Sequence, residues 1–172
     1  NVETHITGSV RQLCVSAEET ARSIGYTPVV LTDSLRCTAR DAGSFLASIA
    51  QYNQSSEKSL AFIAGGETVV HLTGTGLGGR NQEIALSAAQ EIAGFRDTAV
   101  FSFGSDGTDG PTDAAGYCDG ESRAALAAQG VSIPDVLQQN DAYHALKKCD
   151  GLILTGPTGT NVNDLSVLLI RR

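Results

Sequence analysis

The stretch LTGTGLGGRNQE, Leu72 to Glu83, places glycines at 74, 76, 78 and 79 directly before an arginine, and the apolar run IALSAAQEIA follows at 84–93. Glycine lets backbone N–H groups approach a neighbour closely, and the first turn of a helix carries unpaired donors and partial positive charge. The physical complement of such a junction is an anion. The apolar run LAFIAGG (60–66) stands just upstream and reads as a buried strand closed by glycines. Strand, glycine loop and helix in that order make this an α/β chain.

Outward from that junction the pattern continues. ETVVHLTG (67–74) alternates and follows the strand almost at once, which predicts an antiparallel hairpin turned at Gly65-Gly66. A helix is expected from about Asn81 to Ala93. TPVVLTD (27–33) and TAVFSFGSD (98–106) read as buried strands, and GTDGPTDAAGYCDG (107–120) as a long loop without apolar period. SVRQLCVSAEETARSI (9–24) carries Val10, Leu13, Ala17, Ala21 and Ile24 at helical spacing, with Ser9 as cap and Gly25 as stop. ARDAGSFLASIAQYN (39–53) is a second amphipathic helix, and ESRAALAAQ (121–129) a third short one. PDVLQQN and DAYHALKKC are two more short helices, with Pro134 in a first turn and Asp141 as a cap. GLILTG (151–156) and DLSVLLI (164–170) read as a second hairpin. The expectation is one layered α/β/α domain over residues 1–172, with a mixed, mainly parallel sheet.

Composition narrows the function classes. At 172 residues and 41% hydrophobic, the chain can bury a core. Its net charge of −7 and the lack of a basic cluster beyond Lys147-Lys148 and Arg171-Arg172 argue against nucleic acid as a partner. Cys14, Cys37, Cys118 and Cys149 show no metal-like spacing and read as free thiols; Cys118, after an acidic loop, is the one to check. No apolar run reaches transmembrane length and no signal peptide is visible, so a cytoplasmic location without membrane contact is expected. The chain has no methionine and begins at Asn1. The expectation is a start that was removed, or a part of a longer protein.

Three loops leave the ends of apolar strands, where ligands collect in open α/β sheets. The first, GTGLGGRN, matches GxGxxG at Gly74, Gly76 and Gly79 and nearly matches a phosphate loop, with Arg80 and Asn81 in place of Lys and Ser/Thr. The strand before it holds Thr68, His71 and Thr73, and no acidic residue sits where a ribose would need one, so a dinucleotide site is disfavoured. Arg80 can grip phosphate or carboxylate. The plain structural alternative is a tight turn with a surface arginine.

The second loop, GSDGTDGPTDAAG, sets Asp106, Asp109 and Asp113 within eight positions. Three carboxylates so close suit a hard divalent cation, or one of them a general base. Turn and cap chemistry is the competing reading. The third loop, TGPTGTNVND, offers Thr158, Thr160, Asn161, Asn163 and Asp164 as short hydrogen-bonding groups, or makes an ordinary hairpin loop. Glu67 sits at a strand end, able to orient Arg80 or bind a hydroxyl. His5, His71 and His144 are scattered and read as structural. No serine lies in a GxSxG elbow.

GGET, GGRNQE, DGPTDAAG and TGPTGTNVNDL occur here in that order. Together they resemble the MOFRL domain, the C-terminal domain of a type of glycerate kinase also labelled hydroxypyruvate reductase, over about residues 5–172. The resemblance implies ATP-dependent, Mg2+-assisted phosphorylation of D-glycerate in a cleft between two α/β domains. It also implies that the N-terminal domain, with a lysine across the cleft, is absent from this sequence. Carried over, Arg80, Asp106 and Asp109 would be catalytic, and Asp106 and Asp113 would hold the metal. Glu67, Gly76, Gly78, Gly79, Asn81, Thr158, Asn161 and Asn163 would bind substrate or nucleotide. Half a cleft implies slow or no turnover alone. The expected partners are small anions (glycerate, nucleotide phosphate), a separate N-terminal kinase domain, and a second copy in a homodimer. Two alternatives stand beside the kinase module: a ligand-binding or regulatory domain without catalysis, and a nicotinamide-dependent hydroxypyruvate reductase.

Overall fold

The computed structural model describes Glu3 and residues 8–172. Asn1, His5 and the start of the family resemblance lie outside the described residues. The chain runs α1 (Val10–Ser23), β1 (Thr27–Leu35), α2 (Ala39–Tyr52), β2 (Leu60–Gly66), α3 (Arg80–Glu91), β3 (Thr98–Gly104), β4 (Ala115–Asp119), α4 (Ser122–Ala127), α5 (Ile133–Gln138), α6 (Ala142–Lys148), β5 (Leu152–Ile153) and β6 (Asp164–Ile170). The caps read from sequence act as expected on α1. Ser9 accepts the Gln12 N–H at 3.2 Å, and Gly25 leaves the helix with φ +92°.

The six strands form one sheet in the order β1-β2-β6-β3-β4-β5. It is mixed, as expected, but not mainly parallel. Only β1 and β2 pair in parallel, across the α2 crossover, and the other four pairings are antiparallel. The reason is the last strand. β2 and β3 point the same way, joined by α3, yet β6 inserts between them and runs against both. The helical crossover legible in the sequence is therefore present, while its two strands never touch.

Both expected hairpins are corrected by the same sheet order. With β1 on one edge of β2 and β6 on the other, no ladder position is left for residues 67–74. That segment instead runs on beside the end of β1: Glu67 N–H donates to Leu35 O (3.0 Å), Val69 N–H to Cys37 O (3.1 Å), and Val69 O accepts from Ala39 N–H (2.9 Å). At the other end, only Leu152 and Ile153 are strand, and they pair with β4 rather than β6. β4 itself lies in the stretch expected to be loop. Its residues AGYCD are too short and too rich in small side chains to show a period, but Ala115, Gly116 and Cys118 are buried.

The core is two-sided. On one face α2 and α3 pack with α4, α5 and α6 around Leu46, Ile84, Leu86, Ile92, Val100, Leu126, Leu146 and Leu168. On the other, α1 covers Ile63, Leu165 and Val167 with Cys14. α3 is buried along every residue from Asn81 to Ala89, because the sheet lies beneath it and helices flank it. All four cysteines are free. Cys118 is fully enclosed, and burial pushes its thiol up, so it is an inert core residue. Among the described residues no helix is long and apolar enough to cross a membrane.

Candidate functional site

The sheet order brings the ends of three central strands together at one end of the sheet. Gly66 at the end of β2, Asp164 at the start of β6 and Gly104 at the end of β3 stand side by side in register. α3 starts above them. Its first four residues, Arg80-Asn81-Gln82-Glu83, each tie the helix to distant parts of the chain.

The anion at the start of α3 is one of the chain's own. Asp109, 2% exposed, accepts the backbone N–H groups of Asn81 (3.1 Å) and Gln82 (2.9 Å) and the Asn81 side-chain amide (3.2 Å). Gly79, the N-cap, has no side chain to do this, so a carboxylate from a distant loop caps the helix instead. Burial pushes the Asp109 carboxyl up to about 6, against the pull of these three donors. Asn81 is 1% exposed and its Oδ1 accepts from Ser102, whose hydroxyl lies 2.8 Å from that of Ser166. Asp109 and Asn81, expected to act on a ligand, lie beneath the surface here, with their polar atoms engaged within the chain.

Arg80 is fixed by two carboxylates. Its Nε donates to Asp164 Oδ2 at 2.5 Å, Nη2 to Asp164 Oδ1 at 3.1 Å, and Nη1 to Glu67 Oε1 at 2.9 Å. Glu67 thus orients Arg80, one of the two roles expected of it. The bidentate bond to Asp164 pushes the guanidinium above its already basic range. Burial pushes Asp164 up, and Arg80 pulls it back. The two directions conflict, and the fork geometry decides for an ionised pair. A guanidinium has five N–H groups, so among the described residues one on each terminal nitrogen stays without a partner.

Beside Arg80 lies a small polar pocket of about 140 Å³ lined by Ser105, Asp106, Thr108, Asn161, Asn163 and Asp164 with the glycines 104 and 110. The third loop is zipped to the end of β3 here. Thr158 Oγ1 donates to Ser105 O, Val162 N–H to Ser105 Oγ (2.7 Å), and Ser105 N–H to Asn163 O (2.9 Å). Asp106 Oδ1 accepts from Thr108 N–H (2.9 Å) and its hydroxyl (3.0 Å), while Oδ2 receives only Asn161 Nδ2 at 3.3 Å. Asp113 is exposed and does not line this pocket. Among the described residues no group of three His, Cys, Asp or Glu could hold a metal ion. A Mg2+ here would have one protein carboxylate oxygen to hold it, Asp106 Oδ2, and would need water or a ligand for the rest. The donor set does not suit an ion caged by protein alone.

The glycine loop faces another way. Thr73 and Gly74 N–H donate to Asn140 Oδ1 (2.7 and 2.9 Å), Gly76 N–H to Gln139 O (2.8 Å), and Leu77 N–H to Asp141 Oδ1 (2.9 Å). The loop packs its backbone on the turn between α5 and α6, so closely that a Cβ on Gly76 would lie 2.5 Å from that of Asp141. Gly76 is therefore a packing glycine. Gly78 and Gly79 differ: their N–H groups have no acceptor among the described residues. With Gly76 they line a second, larger pocket of about 440 Å³, whose other walls include Thr68, Val69, Val70, Leu72, Arg80 and Pro111. Arg80 and Gly110 line both pockets, and Arg80 is the charged group they share.

Three residues that matter were not singled out as site residues in the sequence. Asp164 was visible only as the last polar position of a loop. Asn140, with φ +55°, bonds Thr73, Gly74, His71 O (3.1 Å) and Glu83 (2.7 Å) through one amide. Buried Glu83 also pairs with Arg40 at 3.1 Å, joining α3 to α2. The signal available for Asn140 was its place just after a short helix, where a left-handed residue is common.

Residues 60–164, more than half of the chain, match the MOFRL family. A D-glycerate 2-kinase from Thermotoga maritima is 49% identical over 99% of this chain and 42% of its own length. A glycerate 2-kinase from Pyrococcus horikoshii is 39% identical over 99% of this chain and 40% of its own. The crystal structure of a glycerate kinase from Thermotoga maritima superposes with a TM-score of 0.96 at 49% identity, again over 99% of this chain and 42% of that one. The chain spans about two-fifths of the length of these relatives. It belongs to the MOFRL family.

Proposed function

We propose that this chain is the C-terminal module of a glycerate 2-kinase-like enzyme, forming one wall of a cleft in which ATP phosphorylates D-glycerate. The observation that carries this reading is Arg80. It is held by Asp164 and Glu67 between two pockets, with two N–H groups that have no partner among the described residues. A cation fixed in that way, and needing no reorganisation, suits charge that builds up on a transferring phosphoryl group. Arg80 binds the phosphoryl oxygens or the acid's carboxylate. Asp106 Oδ2 receives the substrate hydroxyl or anchors Mg2+, which when bound neutralises phosphate charge. Thr158, Asn161 and Asn163 hold the loop that positions Asp106, and a separate N-terminal domain supplies the facing wall. Turnover without it is slow or absent. A cytoplasmic location and a homodimer go with this reading.

The reductase alternative is disfavoured by the glycine loop, whose N–H groups at 74, 76 and 77 bond the 139–141 turn and are closed to a pyrophosphate. The test is calorimetric titration of Mg-ATP, and of D-glycerate, into the chain and its Arg80→Ala variant. A coupled kinase assay then adds the N-terminal part of the Thermotoga relative. Binding lost in the variant, with turnover restored by the added domain, supports the module. Binding without turnover in any mixture supports the regulatory reading. Neither binding nor turnover overturns both.

A further inference from the structure

Two segments outside the helices and the six strands line the larger pocket: residues 69–72, and the glycines 76, 78 and 79. A segment without a ladder of its own keeps its place only through what it is bonded to. Residues 69–72 are tied to the start of α2. Ala39 N–H donates to Val69 O (2.9 Å), and Val69 N–H to Cys37 O (3.1 Å). The glycine loop is tied to Asn140, whose Oδ1 accepts the Thr73 and Gly74 N–H groups at 2.7 and 2.9 Å. These bonds require the amide oxygen to face the loop and Nδ2 to face away from it. Glu83 secures that orientation, since its Oε1 accepts from Asn140 Nδ2 at 2.7 Å.

Glu83 is 2% exposed, and a carboxylate so buried needs a counter-charge. Arg40, in the first turn of α2, is that charge. Its Nε donates to Glu83 Oε2 at 3.1 Å and its Nη2 to Oε1 at 3.4 Å. The same Nη2 donates to Leu137 O in the last turn of α5, just before the turn that holds Asn140. Arg40 therefore grips both the partner of Asn140 and the helix that leads into it. It does not itself line the pocket, and it lies outside residues 60–164, the stretch matched to the family. α2 thus holds both segments, one through its backbone and the other through this side chain. We propose that Arg40 is a positioning residue: through Glu83 and Asn140 it fixes the glycine loop against residues 69–72 and so sets the width of the pocket. Without Arg40 the carboxylate takes up water or a proton, and either loosens its hold on the Asn140 amide. The placing of the loop rests on geometry alone; its effect on turnover rests on the kinase reading.

The test compares Arg40→Met, uncharged and of similar reach, with the wild type by amide hydrogen exchange. Exchange at Thr73 and Gly74 should quicken about tenfold or more beyond any change at the core amides of Leu86 and Val100. Val69, which the α2 backbone holds, should change no more than the core. A uniform change, with Thr73 and Gly74 moving no more than Leu86 and Val100, overturns the proposal, because loss of stability alone produces it. Should Arg40→Met fail to fold, Arg40→Lys takes its place. It keeps the charge, loses the fork, and should quicken the same two amides by a smaller factor; unchanged exchange there overturns the proposal. In the kinase assay with the N-terminal part of the Thermotoga relative, Arg40→Met should raise the KM of ATP or of D-glycerate about tenfold and alter kcat less, with part of the loss recovered by Arg40→Lys. Turnover with both KM values unmoved removes the positioning role and keeps the kinase. Selective exchange at Thr73 and Gly74 in a chain that turns over in no mixture keeps the positioning role and removes the kinase.

Discussion

Gly79 and Asp109 occupy one space between them: a Cβ at position 79 would lie 2.2 Å from the Asp109 Cγ. The missing side chain is what admits the carboxylate to the first turn of α3. Gly79→Ala therefore displaces the cap, and the neighbouring Arg80 with it. The expected loss is on the order of 2 kcal/mol or more in urea unfolding. An alanine variant of wild-type stability would remove this relationship.

Asp109 also sets a pH dependence. Its carboxyl is pushed up to about 6 by burial, from 3.8 in the unfolded chain. Between those values the folded state holds more protons than the unfolded one. The stability this group contributes is full below about 3.8 and is lost as pH rises through about 6. Asp164 and Arg80 are the charges that face it. The difference in unfolding free energy between the wild type and Asp109→Asn should change by about 1–3 kcal/mol from pH 4 to pH 7. A flat difference, or a carboxyl resonance that titrates near 4, contradicts this.

The Arg80–Asp164 fork should show as coupling. Arg80→Ala leaves Asp164, 7% exposed, without its counter-charge and should cost about 1–3 kcal/mol; solvent at the one-third-exposed guanidinium keeps it from costing more. Asp164→Ala costs less once Arg80 is gone. A double-mutant cycle should return about 1–2 kcal/mol of coupling, and a value near zero would mean that the pair is ornamental.

Asn140→Ala removes five hydrogen bonds at once and puts alanine at φ +55°. We expect about 2–4 kcal/mol of destabilisation, and faster hydrogen exchange at the Thr73 and Gly74 amides than in the wild type. Unchanged protection of those two amides would show that Asn140 does not hold the loop.

The helices and most strands were legible because their determinants are local. Ser9 and Gly25 bound α1, and the apolar runs at 60–66, 98–104 and 164–170 are strands wherever they go. The hairpins were misread for a reason outside any local window. Residues 67–74 alternate like a strand, but the edge of β2 they would need belongs to β6, more than ninety residues later. The motif loops were legible as a group, since each is a glycine-rich polar break between apolar runs. The roles within them were not. Asp106 and Asp109 look alike in sequence, but one faces a pocket and the other is buried as a helix cap.

The sequence by itself determined that a glycine-rich turn opens α3 and that the start of this helix must meet negative charge, because unpaired N–H groups and the helix dipole require it. Only the tertiary structure decided whose charge it is. Asp109 lies 28 positions from Asn81 and Asp164 lies 84 from Arg80, and no spacing rule reaches so far. Sheet order brings them together: β6 enters between β2 and β3, sets Asp164 beneath Arg80, and leaves the two free N–H groups of that arginine as what the chain can offer to a ligand.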